Sequence, residues 1–327
     1  TGTAGTVNTA SANFNITAAA PSAVTFSTQP ANTVAGATMA NVVVNVKDTY
    51  SNNISGQAVS VTTTNGTLLS GTLSQNTNAS GDATFNNLSM TLAGTYALTG
   101  TAGTVNTASA NFNITAAAPS AVTFSTQPAN TVAGATMANV VVNVKDAYSN
   151  NISGQAVAVT TTNGTLLSGT LSQNTNASGD ATFNNLSMTL AGTYALTGTA
   201  GTVNTASANF NITAAALDHY VVVVPASVVT NTNQTGTVKA QDVYNNDIAT
   251  ASTTLTMSKT DVTGTPTVTF YTSNTYATTT TTYSYTGGTS TIWFRATHDG
   301  TAPDTCTIKA TDAGTKTGTS GNMDVTN

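Results

Sequence analysis

Glutamate is missing from this chain altogether; all twelve acidic residues are aspartates. Seven lysines and arginines oppose them, leaving a net charge of −5. Charged residues occupy only 6% of the 327 positions, against roughly 25% in ordinary globular proteins. So little positive charge excludes the basic patch that nucleic acid requires. Without glutamate, the usual pair of carboxylates for glycoside hydrolysis has fewer residues to draw on. There is a single cysteine, Cys306, so no intrachain disulfide framework exists and cysteine usage does not decide the compartment. Cys306 alternates with apolar neighbours and reads as a small core residue. No apolar run approaches the ~18 residues of a membrane-spanning helix, so no membrane insertion is expected in this segment. The two histidines, His219 and His298, are read as surface or junction residues. No Gly-x-Ser-x-Gly elbow accompanies them, and the chain is expected not to be an enzyme.

What the chain has instead is threonine, asparagine, serine, alanine and glycine. Threonine is β-branched and suits strands, while asparagine and glycine suit turns. Lysine, glutamate, glutamine and leucine, the usual helix surface, are scarce. The composition is that of an all-β protein. Residues 1–98 and 99–196 are the same sequence twice, differing only at Thr49 against Ala147 and Ser60 against Ala158. A third copy starts at Thr197, matches through Ala216 and departs at Leu217. A repeat of this length marks a tandem array of whole domains, each with its own core.

The run Thr115-Ala-Ala-Ala-Pro119, also present at Thr17–Pro21, reads as a stiff junction, because proline stops ladder pairing. This divides the chain into a tail of a preceding repeat (1–20), two near-identical domains (21–117 and 118–215) and a divergent one (216–327). Residue 1 falls inside a repeat, which implies a longer parent chain. Residues 1–20 hold a copy of the last strand, with Phe14 and Ile16. They either finish the previous repeat or donate a strand to a neighbouring molecule.

Within the first repeat, period-two alternation between turn signals predicts strands over 23–28, 41–47, 57–63, 71–75, 82–90, 95–101 and 108–115. Val42, Val44 and Val46 point inward in one of them. In the last, Ala108, Ala110, Phe112 and Ile114 are all expected inward. Seven strands with one-sided alternation describe an immunoglobulin-like β-sandwich. Leu92-Ala-Gly94-Thr-Tyr96 has the spacing of a tyrosine corner, in which the phenol bonds back to the main chain. Leu190, Gly192 and Tyr194 repeat it.

The pattern Val42-x-Val44-x-Val46-Lys-Asp48-x-Tyr-Ser-Asn-Asn, then Ile54-Ser-Gly-Gln-Ala-Val, then Asn65-Gly-Thr67, Gly81-Asp-Ala-Thr-Phe85 and Gly94-Thr-Tyr-Ala-Leu98 resembles the bacterial immunoglobulin-like repeats of invasin- and intimin-type adhesins and giant surface proteins. The resemblance covers both full repeats. It implies an extracellular stalk or surface assembly rather than a reaction. The third domain resembles the same class more loosely: Thr235–Asp242 followed by Val243-Tyr-Asn-Asn-Asp247 copies the strand-then-turn pattern of Val42–Asn53. It has no clear tyrosine corner.

Candidate sites are sparse. No cofactor is expected, with calcium as the exception to be weighed. Calcium seeks several carboxylates together. Asp48 with Asn52 and Asn53 is one weak candidate. Asp242 with Asp247, and Asp299 with Asp304, are others. Trp293 and Arg295, with Tyr271, Tyr276, Tyr283 and Tyr285, are candidates for stacking on a glycan. Asn-x-Ser/Thr triplets at Asn15, Asn53, Asn65, Asn78 and Asn87 are candidate glycosylation sites. The expected function is a non-enzymatic extracellular or cell-surface structural protein, in which stacked domains form a stalk, surface layer, filament or biofilm matrix. Its partners would be copies of itself, with low charge removing the repulsion that opposes lateral packing. The alternative is an adhesin whose divergent third domain binds a glycan or protein ligand.

Overall fold

The computed structural model describes residues 1–300 and 304–327. Among them there is no helix; every regular element is a strand. The chain is a tandem array of immunoglobulin-like β-sandwiches. The valine alternation of the first repeat explains its centre. Val42, Val44 and Val46 lie on one side of the strand Val42–Lys47 and are fully buried. That strand pairs antiparallel with Ala23–Thr28 on one side and Asp82–Phe85 on the other. This three-stranded sheet forms one layer. The facing layer has the order Val105–Ala108, Leu98–Ala102, Ala58–Thr63 and Ser74–Asn76. Val59, Val61, Leu98 and Phe85 meet between the two layers. The second sandwich repeats the same pairings 98 residues on, around Val140, Val142, Val144 and Phe183.

A third, small sheet completes each repeat. Thr33–Val34 pairs in parallel with Phe112–Thr115, which pairs antiparallel with Gly94–Tyr96. The region expected as one strand over 95–101 is therefore two strands in two sheets, and so is the region expected over 108–115. This corrects the inward placement of two residues. Phe112 and Ile114 are buried, but Ala108 and Ala110 face solvent. The physical reason is a local detour. Ser109 donates its N–H to the Leu98 carbonyl (2.8 Å) and accepts the Leu98 N–H on its hydroxyl (2.9 Å), while the Ala110 N–H is taken by Gln29 Oε1 (2.9 Å). The ladder breaks there and resumes in the neighbouring sheet with a changed phase.

The third sandwich keeps this plan with longer strands. One sheet runs Leu217–Val223, Gln234–Asp242, Thr289–Thr297 and Thr267–Tyr271. The other runs Ser227–Val229, Met323–Thr326, Asp304–Asp312, Thr253–Thr263 and Thr282–Tyr285, with Thr317–Thr319 paired to Asp304–Asp312. Tyr285, Phe294, Ile308 and Cys306 lie in its core. Residues 1–20 contain a two-stranded hairpin, Gly2–Ala4 with Val7–Thr9. Phe14 and Ile16, at 79% and 87% exposure, have no core against them.

Candidate functional site: the joints between sandwiches

The turn after the strand Val42–Lys47 recurs in all three sandwiches and begins with a buried aspartate. Asp48, Asp146 and Asp242 are each no more than 3% exposed. A buried carboxylate must be hydrogen-bonded to be tolerated, and each of these is saturated by N–H donors. Asp146 Oδ1 accepts the main-chain N–H groups of Tyr148 (2.9 Å) and Asn150 (2.8 Å). Its Oδ2 accepts the Asn150 side-chain amide (2.8 Å) and the main-chain N–H of Ala117 in the linker (2.9 Å). The aspartate thus ties the linker to the top of the sandwich that follows it.

Asn150 then reaches across the joint. Its Nδ2 donates to the Thr91 carbonyl at 2.7 Å, and its Oδ1 accepts the Ala93 N–H at 2.9 Å. Both partners belong to the loop that closes the far end of the preceding sandwich. The next joint uses equivalent atoms. Asn246 donates to the Thr189 carbonyl (2.7 Å) and accepts the Ala191 N–H (2.8 Å), while Asp242 accepts the linker N–H of Ala215 (2.8 Å). Tyr148 and Tyr244 add a contact. Their hydroxyls sit 1.9 and 2.0 Å from where a Cβ would stand on Gly36 and Gly134. Both glycines have φ near +80°, so the turn needs glycine for its backbone and the tyrosine needs it for space.

The first sandwich carries the same set with nothing docked on it. Asp48 accepts the Ala19 N–H at 3.0 Å and the Asn52 amide at 3.0 Å. Asn52, however, is exposed, whereas Asn150 and Asn246 are 5% and 4% exposed. Tyr50 is 78% exposed against 44% for Tyr148. The Ala19 N–H, with the Asn52 and Tyr50 donors, outweighs burial and holds the Asp48 carboxyl down to about 2. For Asp146 and Asp242, burial pushes upward most strongly. The combined N–H donors, led by the asparagine side chain, still bring both below the ordinary carboxylate value.

These bonds decide how the calcium candidates stand. Four N–H donors fill the oxygens of Asp242. Asp247 turns to the sheet instead, where Lys239 Nζ and Gln241 Nε2 each approach it at 2.8 Å. The structure does not bring Asp242 and Asp247 together as a cation cage. Asp299 and Asp304 do come together, and they are joined by His298. The histidine side chain is only 5% exposed, where a surface or junction residue was expected. His219 pairs with Asp218 at the surface (3.1 Å).

The tyrosine-corner residues form the expected bond. Tyr96 donates to the Leu92 carbonyl and Tyr194 to the Leu190 carbonyl, both at 3.0 Å, with Gly94 and Gly192 under the rings. In the third sandwich Tyr285 performs a different lock. It accepts the Ala240 N–H (2.9 Å) and donates to the Gly288 carbonyl (2.7 Å).

Trp293 is half-buried against the third core and tilts over Tyr283 at 6.4 Å. Arg295 lies over the rings of Tyr271 and Tyr276 at 5.4 and 5.5 Å, and its Nε donates to Asn233 Oδ1 at 2.7 Å. The guanidinium therefore occupies ring faces that a sugar would need. A shallow groove of about 440 Å³ runs beside Trp293 and Tyr283.

Sequence reasoning weighed Asp48 with Asn52 and Asn53 as a weak calcium candidate and missed the role of Asp48 and Asn52 as a clasp. The available signal was the survival of Asp-x-Tyr-x-Asn in the third domain, where most of the remaining sequence has changed.

No family model matches the chain, and no curated protein matches it. Among solved structures it is similar to invasin, described as a bacterial integrin-binding protein, at 15% identity and a TM-score of 0.36. That alignment covers 93% of this chain and 60% of invasin. It is similar to domains 4–9 of the surface layer protein SbsC at 18% identity and a TM-score of 0.30, over 94% of this chain and 48% of that one. The adhesin InvE of Yersinia pseudotuberculosis aligns at 20% identity with a TM-score of 0.29, over 63% of this chain and 59% of its own. The chain thus spans about half to three fifths of each of these structures. At these scores the description of the fold rests on its own strand pairing.

Proposed function

We propose that this chain is a non-enzymatic structural segment of an extracellular or cell-surface protein. Its units, residues 21–117, 118–215 and 216–327, stack through fixed joints to make a stalk, surface layer, filament or matrix. The observation that carries this reading is the repeated clasp: two successive joints use the same aspartate, asparagine and tyrosine in the same bonds. Nothing about a reaction requires such repetition; holding successive domains at a set angle does. The asparagine is the testable part. Asn150→Ala removes both cross-joint bonds and leaves the Ala93 N–H and Thr91 carbonyl without them, at about 1–3 kcal/mol for each group that stays buried. Fluorophores placed in the first and second sandwiches should report a narrow distance distribution in the parent chain and a broad one in Asn150→Ala. Equally broad distributions in both would remove the rigid-joint reading. Antibody to the repeats should label intact cells; labelling only after lysis would overturn the surface location. The adhesin alternative rests on the groove beside Trp293, and glycan-array binding lost in Trp293→Ala would favour it.

A further inference from the structure

The loop at the far end of each repeat, residues 86–93 and 184–191, has no ionisable side chain. It closes the sandwich with buried Leu88 and Met90, or Leu186 and Met188. The third sandwich closes the same end differently. Its corresponding loop follows the strand Thr289–Thr297 and carries His298 and Asp299, and Asp304 opens the next strand.

Asp304 is 1% exposed, and among the described residues its Oδ1 has no hydrogen-bond partner. Its Oδ2 accepts the Asp299 N–H at 2.6 Å and lies 3.7 Å from His298 Nδ1. That histidine nitrogen already accepts the Gly300 N–H at 2.8 Å. Nδ1 is therefore the unprotonated ring nitrogen, and an ion bound there would take the place of the Gly300 N–H. Asp299 completes the group, with its Oδ2 held by the N–H and hydroxyl of Thr265 at 2.8 and 2.9 Å. One ligand atom from each of the three side chains lies within 4.8 Å of the others. Gly264, at φ +65°, leaves room for the unpartnered oxygen; a Cβ there would stand 1.8 Å from Asp304 Oδ1. A buried carboxylate with an unmatched oxygen is costly unless a cation joins it.

We propose that His298, Asp299 and Asp304 form a divalent-metal site that closes the far end of the third sandwich. The donor set selects the metal class. One imidazole nitrogen and two carboxylate oxygens suit zinc or a similar first-row ion with an open position for water. Calcium prefers six to eight oxygens, and this group offers too few. Ligand atoms on one tetrahedral zinc lie about 3.4 Å apart, so binding would draw the side chains together by up to about 1.4 Å from the 4.8 Å limit. The bound ion would tie the loop after Thr297 to the Gly264–Thr265 turn. It would thus do by coordination what Leu88 and Met90 do by packing in the repeats.

Calorimetric titration of the full chain with zinc chloride, in a buffer that does not chelate, tests this. One zinc per chain is expected. Asp304→Asn and His298→Gln should each weaken binding at least tenfold, and Asp299→Asn should do the same should either buried variant fail to fold. Cys306→Ala and His219→Ala should bind as the parent does, and excess calcium should not displace the zinc. Absence of zinc binding by the parent chain would overturn the proposal. Undiminished binding by the folded site variants would overturn it as well.

Discussion

Tyr96 shows how much one atom can fix. Its ring is buried and packs on Phe112, while its hydroxyl alone reaches the Leu92 carbonyl. Tyr96→Phe keeps the ring and deletes the bond. The expected cost is about 0.5–1.5 kcal/mol, read as a lower denaturant midpoint with an unchanged slope. A changed slope would point to altered compactness instead. The joint aspartates make a second prediction at this scale. Asp48, Asp146 and Asp242 all have lowered values in the folded chain. A lowered carboxylate stabilises fully above its unfolded value, and that contribution is lost as pH falls through the folded one. The joints, held by Asp146 and Asp242, should therefore hold above about pH 4 and loosen progressively as pH falls below it. Scattering profiles of the chain across that range should show the inter-domain distances broadening on acidification. Profiles unchanged down to pH 2 would contradict the clasp.

At the scale of the element, the same sequence appears with and without a partner. Phe112 is 2% exposed in a strand held between Thr33–Val34 and Gly94–Tyr96, whereas Phe14, its copy, is 79% exposed. Phe112→Ala should cost about 3–5 kcal/mol, and Phe14→Ala should stay within about 0.5 kcal/mol. Thermal denaturation of the two variants checks this, and similar losses would mean that residues 10–17 also dock on a sheet. Strand existence was legible because Val42, Val44, Val46 and Phe85 alternate without interruption. Strand continuity was not. The alternation through Ala108, Ala110 and Phe112 reads as one strand, but alanine is tolerated on either face and hides the break at Ser109. Sheet membership depends on which acceptors the Leu98 and Ala110 amides meet, here Ser109 Oγ and Gln29 Oε1, and no local pattern encodes that.

For the whole molecule, the single thiol provides a probe. Cys306 is fully buried in the third core, and burial pushes its thiol upward. It should react with a thiol reagent only when that sandwich opens, so its rate in denaturant reports the third unit alone. Reaction at the native-state rate of a free peptide would contradict the core placement. If the clasp couples the units, Asn246→Ala should speed this reaction more than Asn150→Ala, because only Asn246 belongs to the third sandwich.

The sequence by itself determined the strand-forming alternation, the tandem period and the tyrosine lock. Each of these depends on residues close together in the chain or on simple identity at a fixed offset. Tertiary structure decided what the polar residues are for. Asn150 becomes part of a clasp only because a loop some 57–59 residues earlier offers it a carbonyl and an amide, and Asp146 because the linker N–H of Ala117 meets it. His298 and Asp304 become neighbours inside the fold only because the third sandwich closes over them. Hydrogen-bond partners and burial are properties of chain segments brought together in space, and a linear pattern cannot express them.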